Sequence, residues 1–176
     1  MDNKNYEIII TSEQVVNKCK ELAEWINKTF KKSSQFLIVG ILKGALQFLF
    51  ELTKYITIPY EIDYLSISSF KGEKKVLQKP EILLNLDIDY KGYDVLIVDE
   101  IIDTGLSLEV IINKMKLNNP KSINVMSFLK KNNHKPIIEP NIYGFSVEPN
   151  FYIGFGLDYK FKLRSLPYIA ILKNNL

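Results

Sequence analysis

Val95-Leu96-Ile97-Val98-Asp99-Glu100-Ile101-Ile102-Asp103-Thr104-Gly105-Leu106-Ser107-Leu108 is the stretch on which the fold turns. Its first four residues form a continuous apolar run rich in β-branched side chains, the pattern of a strand covered on both faces. The run ends on two adjacent carboxylates, Asp99 and Glu100, with a third, Asp103, close behind. Thr104 and Gly105 then make a small-residue turn, and a helix is predicted over about Leu106 to Met115. A buried strand that empties into such a turn and then a helix is the half-unit of a parallel α/β sheet.

Moving outward, the same alternation repeats. Strands are predicted at Tyr6–Ile10, Phe36–Val39, Glu61–Ile67, Ile123–Phe128, Ile142–Phe145 and, briefly, Tyr152–Phe155. Thr11 and Gln14 have the spacing of a capping box and open a helix to about Phe30. Val15, Cys19, Leu22, Ile26 and Phe30 lie on its one apolar face, so Cys19 reads as a buried small hydrophobe rather than a reactive thiol. A second helix follows Gly44 and runs to about Tyr55, while Ser68 to Lys79 reads as a polar loop. The fold class expected is α/β: a five-stranded parallel sheet flanked by helices on both faces. It forms a single domain over 1–176, with a core over about 11–150. A small hood is formed by the N-terminal strand (about 1–10) and the C-terminal segment (about 150–176). Ligands of such sheets bind beyond the carboxyl ends of the strands, which directs attention to the loops after Val39 and Val98.

Bulk properties narrow the class. The chain has 176 residues, 47% hydrophobic and 24% charged, as in ordinary globular proteins. No N-terminal apolar stretch resembles a secretory signal and no run approaches a membrane span, so no membrane partner is expected. The one cysteine cannot form an internal disulfide, and the cytoplasm is the expected location. A net charge of +3 fits an anionic small molecule, and the lysines are scattered rather than massed, so no nucleic-acid partner is expected.

In the opening stretch, Thr104, Gly105 and Ser107 suit a phosphate: the glycine lets backbone approach, hydroxyls donate, and helix N-terminal N–H groups favour an anion. Asp99 and Glu100 would repel a phosphate and suit hydroxyls or a hydrated cation. Together these are the requirements of a ribose 5-phosphate. A strand–helix corner with solvated acids and a capped helix meets the same pattern, and chemistry alone does not choose between them.

The stretch closely resembles the phosphoribosyl pyrophosphate signature of type I phosphoribosyltransferases, and Ile101-Ile102-Asp103-Thr104-Gly105 is similar to the hypoxanthine–guanine branch. Further likeness is carried by Val39-Gly40-Ile41-Leu42-Lys43-Gly44, by Gly154-Phe155-Gly156-Leu157-Asp158-Tyr159 and by Arg164-Ser165-Leu166-Pro167-Tyr168-Ile169. The resemblance implies transfer of a phosphoribosyl group to a 6-oxopurine, hypoxanthine or guanine, giving IMP or GMP plus pyrophosphate, with Mg²⁺ as cofactor. It also implies a homodimer or homotetramer.

By position, Asp99 and Glu100 would hold the ribose hydroxyls, directly or through metal, and Asp158 a second metal. Asp103 would be the catalytic proton-transfer group, and Asp103, Thr104, Gly105, Leu106 and Ser107 the 5-phosphate cradle. Leu42, Lys43, Gly44 and Arg164 would bind pyrophosphate, with the Leu42–Lys43 peptide cis. Lys131 would meet purine O6, unless its neighbour Lys130 does or the lysine is simply solvated. Phe151 would stack on the base, the Tyr152 backbone meet its edge, and Ser69 and Phe70 belong to a lid. A surface ion pair with a carboxylate is the plainer use of Arg164.

Four features depart from the family pattern. Asp99 precedes Glu100 where the family has the reverse order, and Phe70 replaces a tyrosine. Glu148-Pro149-Asn150 stands before Phe151 in place of Pro-Asp, and Tyr152 replaces a small aliphatic residue. His134, the sole histidine, is assigned no role. Two other readings share this framework. One is a xanthine- or guanine-selective transferase; the other is a non-catalytic regulator that binds nucleotide or RNA.

Overall fold

The computed structural model describes residues 6–71, 75–133 and 135–173, with residues 69–71 and 75–79 described only at the backbone. In chain order the elements are β1 (Tyr6–Ile10), α1 (Ser12–Thr29), β2 (Phe36–Leu42), α2 (Ala45–Thr53), β3 (Glu61–Lys71) and β4 (Lys75–Leu84). They continue with β5 (Asp94–Ile102), α3 (Leu106–Lys116), β6 (Ser122–Lys131), β7 (Ile142–Val147), β8 (Tyr152–Ile153) and β9 (Ile169–Leu172).

The main sheet has the order β4-β3-β2-β5-β6-β7. β3, β2, β5, β6 and β7 run parallel, the five strands expected, and β4 adds an antiparallel edge. That sixth strand corrects the reading of Ser68 to Lys79 as a loop: β3 runs on to Lys71 and pairs with β4, Phe70 opposite Val76. Charged residues are what an edge strand is expected to carry, since they discourage pairing with another chain, so polarity there did not mean loop.

Alternation explains why the central strands are apolar throughout. Phe36, Ile38, Leu96 and Val98 enter one core with the helix face of Val15, Cys19, Leu22 and Ile26 and with Phe48 of α2. Leu37, Val39, Val95 and Ile97 point the other way, onto Leu108, Ile111 and Met115 of α3. Each such buried side chain stabilises the fold by about 1.5–3 kcal/mol. The capping box forms as the spacing implies, with Thr11 and Gln14 bonded reciprocally. Cys19 is buried, and burial, seconded by the Glu51 charge, pushes its thiol up to about 12, so it is inert at neutral pH.

The chain leaves β2 toward one edge through β3 and β4, and leaves β5 toward the other through β6 and β7. The β2/β5 boundary is therefore the switch point, and a crevice opens beyond the carboxyl ends of these two strands. A second sheet, β1-β9-β8, is antiparallel and pairs Tyr6 with Leu172. Tyr6 and Tyr168 hydroxyls meet at 2.8 Å on it. Among the described residues no helix is long and apolar enough to cross a membrane.

At the opposite end of β5, Asp94 is buried and accepts from Ser33 (2.6 Å), Lys121 (2.7 Å) and Ser122 (2.7 Å). Burial alone would raise its pKa, but these donors outweigh it and hold the carboxyl below its usual value. Because the folded pKa is depressed, the stabilisation is present above the unfolded value of about 3.9 and fades as pH falls through the folded one. Asp94→Ala is expected to cost roughly 1–3 kcal/mol at pH 7, from donors left without an acceptor. The difference from the parent should shrink below about pH 4 in urea melts, following the same titration.

Candidate functional site

A cavity of about 510 Å³ opens at the β2/β5 switch point. Asp99, Glu100, Asp103 to Ser107, Leu42, Lys131, Phe151, Tyr152, Asp158 and Arg164 all line it. A depression of about 600 Å³ elsewhere, between α2 and β3, is lined by apolar, tyrosine and amide side chains without a carboxylate or cation, so the chemistry belongs to the first.

Asp99 and Glu100 end the buried part of β5, where the strand leaves the core. The Glu100 N–H donates to Asp99 Oδ1 at 2.9 Å. Burial and then the adjacent Glu100 charge raise the Asp99 carboxyl well above the usual range. Burial also raises Glu100, opposed first by its side-chain hydrogen bond with Asp99 and, less, by the Arg164 cation. Two carboxylates forced together with little counter-charge form a donor set that suits a hard cation completed by substrate oxygens. Among the described residues no cluster of three or more His, Cys, Asp or Glu side chains comes together, so Asp158 does not join the acidic pair in one cage. Asp158 instead takes Arg164 Nη2 at 2.6 Å and the Phe161 N–H at 2.8 Å. Arg164 is thus in the ion pair that was its plainer reading, and still lines the cavity.

Past Ile102 the chain bends. Gly105 takes φ +78°, which L side chains rarely adopt, and caps α3. A Cβ there would also lie 2.9 Å from the Ile138 amide nitrogen. The Ile137 N–H holds the Thr104 carbonyl at 2.9 Å, and Thr104 Oγ1 accepts from the Leu106 N–H at 3.4 Å. The turn is therefore fixed from behind by the 137–138 backbone, leaving the helix N-terminus facing the cavity.

The Leu42–Lys43 peptide is cis. Leu42 lines the cavity, whereas the Lys43 side chain is exposed, and neither Lys43 nor Gly44 is on its wall. Gly44 lies under the acidic pair: a Cβ on it would sit 1.8 Å from Glu100 Oε1. Gly156, at φ +100°, packs on the Gly44 carbonyl, where its own Cβ would fall at 1.9 Å. Arg164 Nη1 donates to the Gly156 carbonyl at 2.6 Å. Neither contact is apparent from the sequence, although both glycines lie in the stretches that carry the resemblance.

Lys131 Nζ donates to Asp103 Oδ2 at 2.9 Å, with the two side chains 20% and 43% exposed. Lys130 turns to the opposite face, pairing with Glu139 at 2.6 Å and lying over the Tyr143 ring at 5.2 Å. Lys131, and not Lys130, is therefore the lysine that lines the cavity. Phe151 is 56% exposed, so it is not core, and stands edge-on to Tyr159 at 6.0 Å. Tyr152 is 5% exposed, its ring in the core. Asn150, which sequence reasoning noted only as a departure, also lines the cavity. Ser69 and Phe70 fall on β3 and their side chains lie outside the description, as does His134.

A model of the phosphoribosyl transferase domain matches residues 5–160. The chain belongs to the phosphoribosyltransferase family. It is 33% identical over 174 residues to the hypoxanthine-guanine phosphoribosyltransferase of Lactococcus lactis, covering 98% of this chain and 94% of that protein. It is likewise 33% identical over 166 residues to the hypoxanthine phosphoribosyltransferase of Salmonella typhimurium, covering 93% of each chain. A crystal structure of a hypoxanthine phosphoribosyltransferase from Staphylococcus aureus superposes with a TM-score of 0.90 at 33% identity. It covers 97% of this chain and 93% of that one. In this phosphoribosyltransferase the match includes β5 and the turn into α3, the segment that carries the acids and the phosphate-type helix start.

Proposed function

We propose that the protein salvages purines, joining hypoxanthine or guanine to 5-phosphoribosyl 1-pyrophosphate to give IMP or GMP and pyrophosphate. The observation that carries this reading is one cavity holding three complementary parts. A helix start is suited to a phosphate, an acidic pair is suited to ribose hydroxyls, and a Lys131–Asp103 pair stands near Phe151.

The C1′–pyrophosphate bond breaks through an oxocarbenium-like transition state as purine N9 closes on C1′. The 5-phosphate sits against Thr104, Gly105, Leu106 and Ser107, which anchors the sugar while C1′ travels. Asp103 accepts the purine N7 proton as the new bond forms. Lys131 exchanges its partner, leaving Asp103 for purine O6. Because the pair is partly exposed, water can take up part of what Asp103 loses in the exchange. Phe151 stacks on the base, and Arg164 and Leu42 on the cavity wall face the departing pyrophosphate, with Lys43 and Gly44 next to Leu42 reaching it from just off the wall. Asp99 and Glu100, with Asp158 apart from them, would hold Mg²⁺, which supplies neutralisation of the charge that builds on the leaving group.

We also place the enzyme in the cytoplasm, and as a homodimer or homotetramer. The exposed Leu46 (44%) and Phe50 (69%) on α2 support self-association through that face. The protein should be incubated with phosphoribosyl pyrophosphate and, in turn, hypoxanthine, guanine and xanthine. Nucleotide should form with the first two, fall at least about tenfold in EDTA and return with Mg²⁺. Turnover of xanthine or guanine alone would select the narrower transferase. No turnover of any base would select a non-catalytic binder. Light scattering on the same sample should give a multiple of the 20.4 kDa chain mass.

A further inference from the structure

The turn between β7 and β8, Glu148-Pro149-Asn150, sits between the two residues that face the base. On one side is Lys131, which lies opposite Val147 in the β6–β7 register. On the other is Phe151, at the entry to β8. The residue after each of them grips this turn. Asn132, next to Lys131, donates from its N–H to the Val147 carbonyl and from Nδ2 to Glu148 Oε1, both at 2.9 Å. Tyr152, next to Phe151, donates its hydroxyl to the Glu148 carbonyl. The same carbonyl accepts the Asn150 N–H at 2.8 Å, which closes the turn over Pro149.

We infer that Tyr152 is a positioning residue for the purine. Its hydroxyl and Asn132 clasp the 148–150 turn and so set the spacing between Lys131 and Phe151 before any base arrives. The inference rests on the base-site reading above. It also accounts for a residue that the family pattern does not lead one to expect: the larger side chain is accommodated because its ring is buried in the core and its hydroxyl is engaged by the turn. A small aliphatic residue at this position would leave Asn132 as the side chain gripping the turn from outside it, through a contact to Glu148 that is exposed to solvent. Fixing the two base contacts in advance reduces the ordering cost of binding, which is how a residue can raise affinity without touching the ligand.

The test uses the intact enzyme and Tyr152→Phe, which keeps the ring and removes only the hydroxyl. One neutral hydrogen bond corresponds to a rise of about 2- to 12-fold in KM for hypoxanthine. The kcat and the KM for phosphoribosyl pyrophosphate should each stay within about twofold, because nothing at the 5-phosphate cradle moves. Asn132→Ala, which leaves the core intact, should shift the base KM in the same direction. If Tyr152 acts through Phe151, then in a Phe151→Ala background Tyr152→Phe should add less than about twofold. Multiplicative effects in the double variant, an unchanged base KM in Tyr152→Phe, or both KM values rising together would each overturn the clasp. A silent Phe151→Ala would overturn it for a different reason, because the base-site reading itself would then have failed.

Discussion

Asp103→Asn is expected to lower kcat by about 10²–10⁴-fold, the usual contribution of a positioned acid–base group. The substitution is nearly isosteric, and the amide oxygen can still accept from Lys131 Nζ, now 2.9 Å from the carboxylate. What the amide cannot do is take up a proton from purine N7. The neighbouring turn should be undisturbed, since it is fixed through the Thr104 carbonyl on the Ile137 N–H and through Gly105 in its left-handed conformation. The KM for phosphoribosyl pyrophosphate should therefore stay within a few-fold of the parent. Steady-state rates with hypoxanthine measure both. A kcat within a few-fold of the parent would remove Asp103 from the proton-transfer role.

Lys131→Ala is expected to lower kcat/KM for hypoxanthine by roughly 10- to 150-fold. An ammonium offers only donors, and O6 of a 6-oxopurine is an acceptor, so the two are complementary. A hydrogen bond to a charged group is worth about 1.5–3 kcal/mol, and about 1.4 kcal/mol is a factor of ten. Adenine puts an amino group where O6 stands, so its small rate should change far less. Lys130→Ala is the control: its ammonium is directed at Glu139 and Tyr143, away from the cavity. If the control carried the defect and Lys131→Ala were silent, the assignment of the purine-facing lysine would be wrong.

Contiguity decides how much of this was legible in the sequence. The β5–α3 unit could be read in full because strand, acids, turn and helix follow one another without interruption from Asp94 to Lys116, and each obeys a local rule. The same holds for the stripe on α1 and its capping box. β4 was missed because an edge strand needs only one neighbour and is free to be polar. β9 was missed because Ile169–Leu172 is short and gains its meaning from β1 at the far end of the chain. Within the site, single residues were found by motif, but their mutual packing was not. The contacts of Gly44 with Glu100 and of Gly156 with Gly44 join segments distant in sequence. The grip of Asn132 and Tyr152 on Glu148 likewise depends on two strand ends that only folding brings together. Lys130 and Lys131 could not be told apart by composition. The alternation of β6 separates them, since adjacent residues of a strand face opposite sides.

The pairing of β1 with β9, and of β9 with β8, ties one side of the cavity to strands near both ends of the chain. The proposed 5-phosphate cradle is complete in sequence by Ser107, but its turn is fixed only once the 137–138 backbone packs behind it. Among the described strands β8, which carries Tyr152 next to Phe151, pairs with β9 alone, and β1 depends on the same four residues, Ile169–Leu172. In our reading the 5-phosphate cradle therefore precedes in sequence both the Phe151 side of the base site and the Arg164 side of the pyrophosphate site. One short strand, β9, thus braces two segments far apart in sequence, β1 and the β8 strand that follows Phe151.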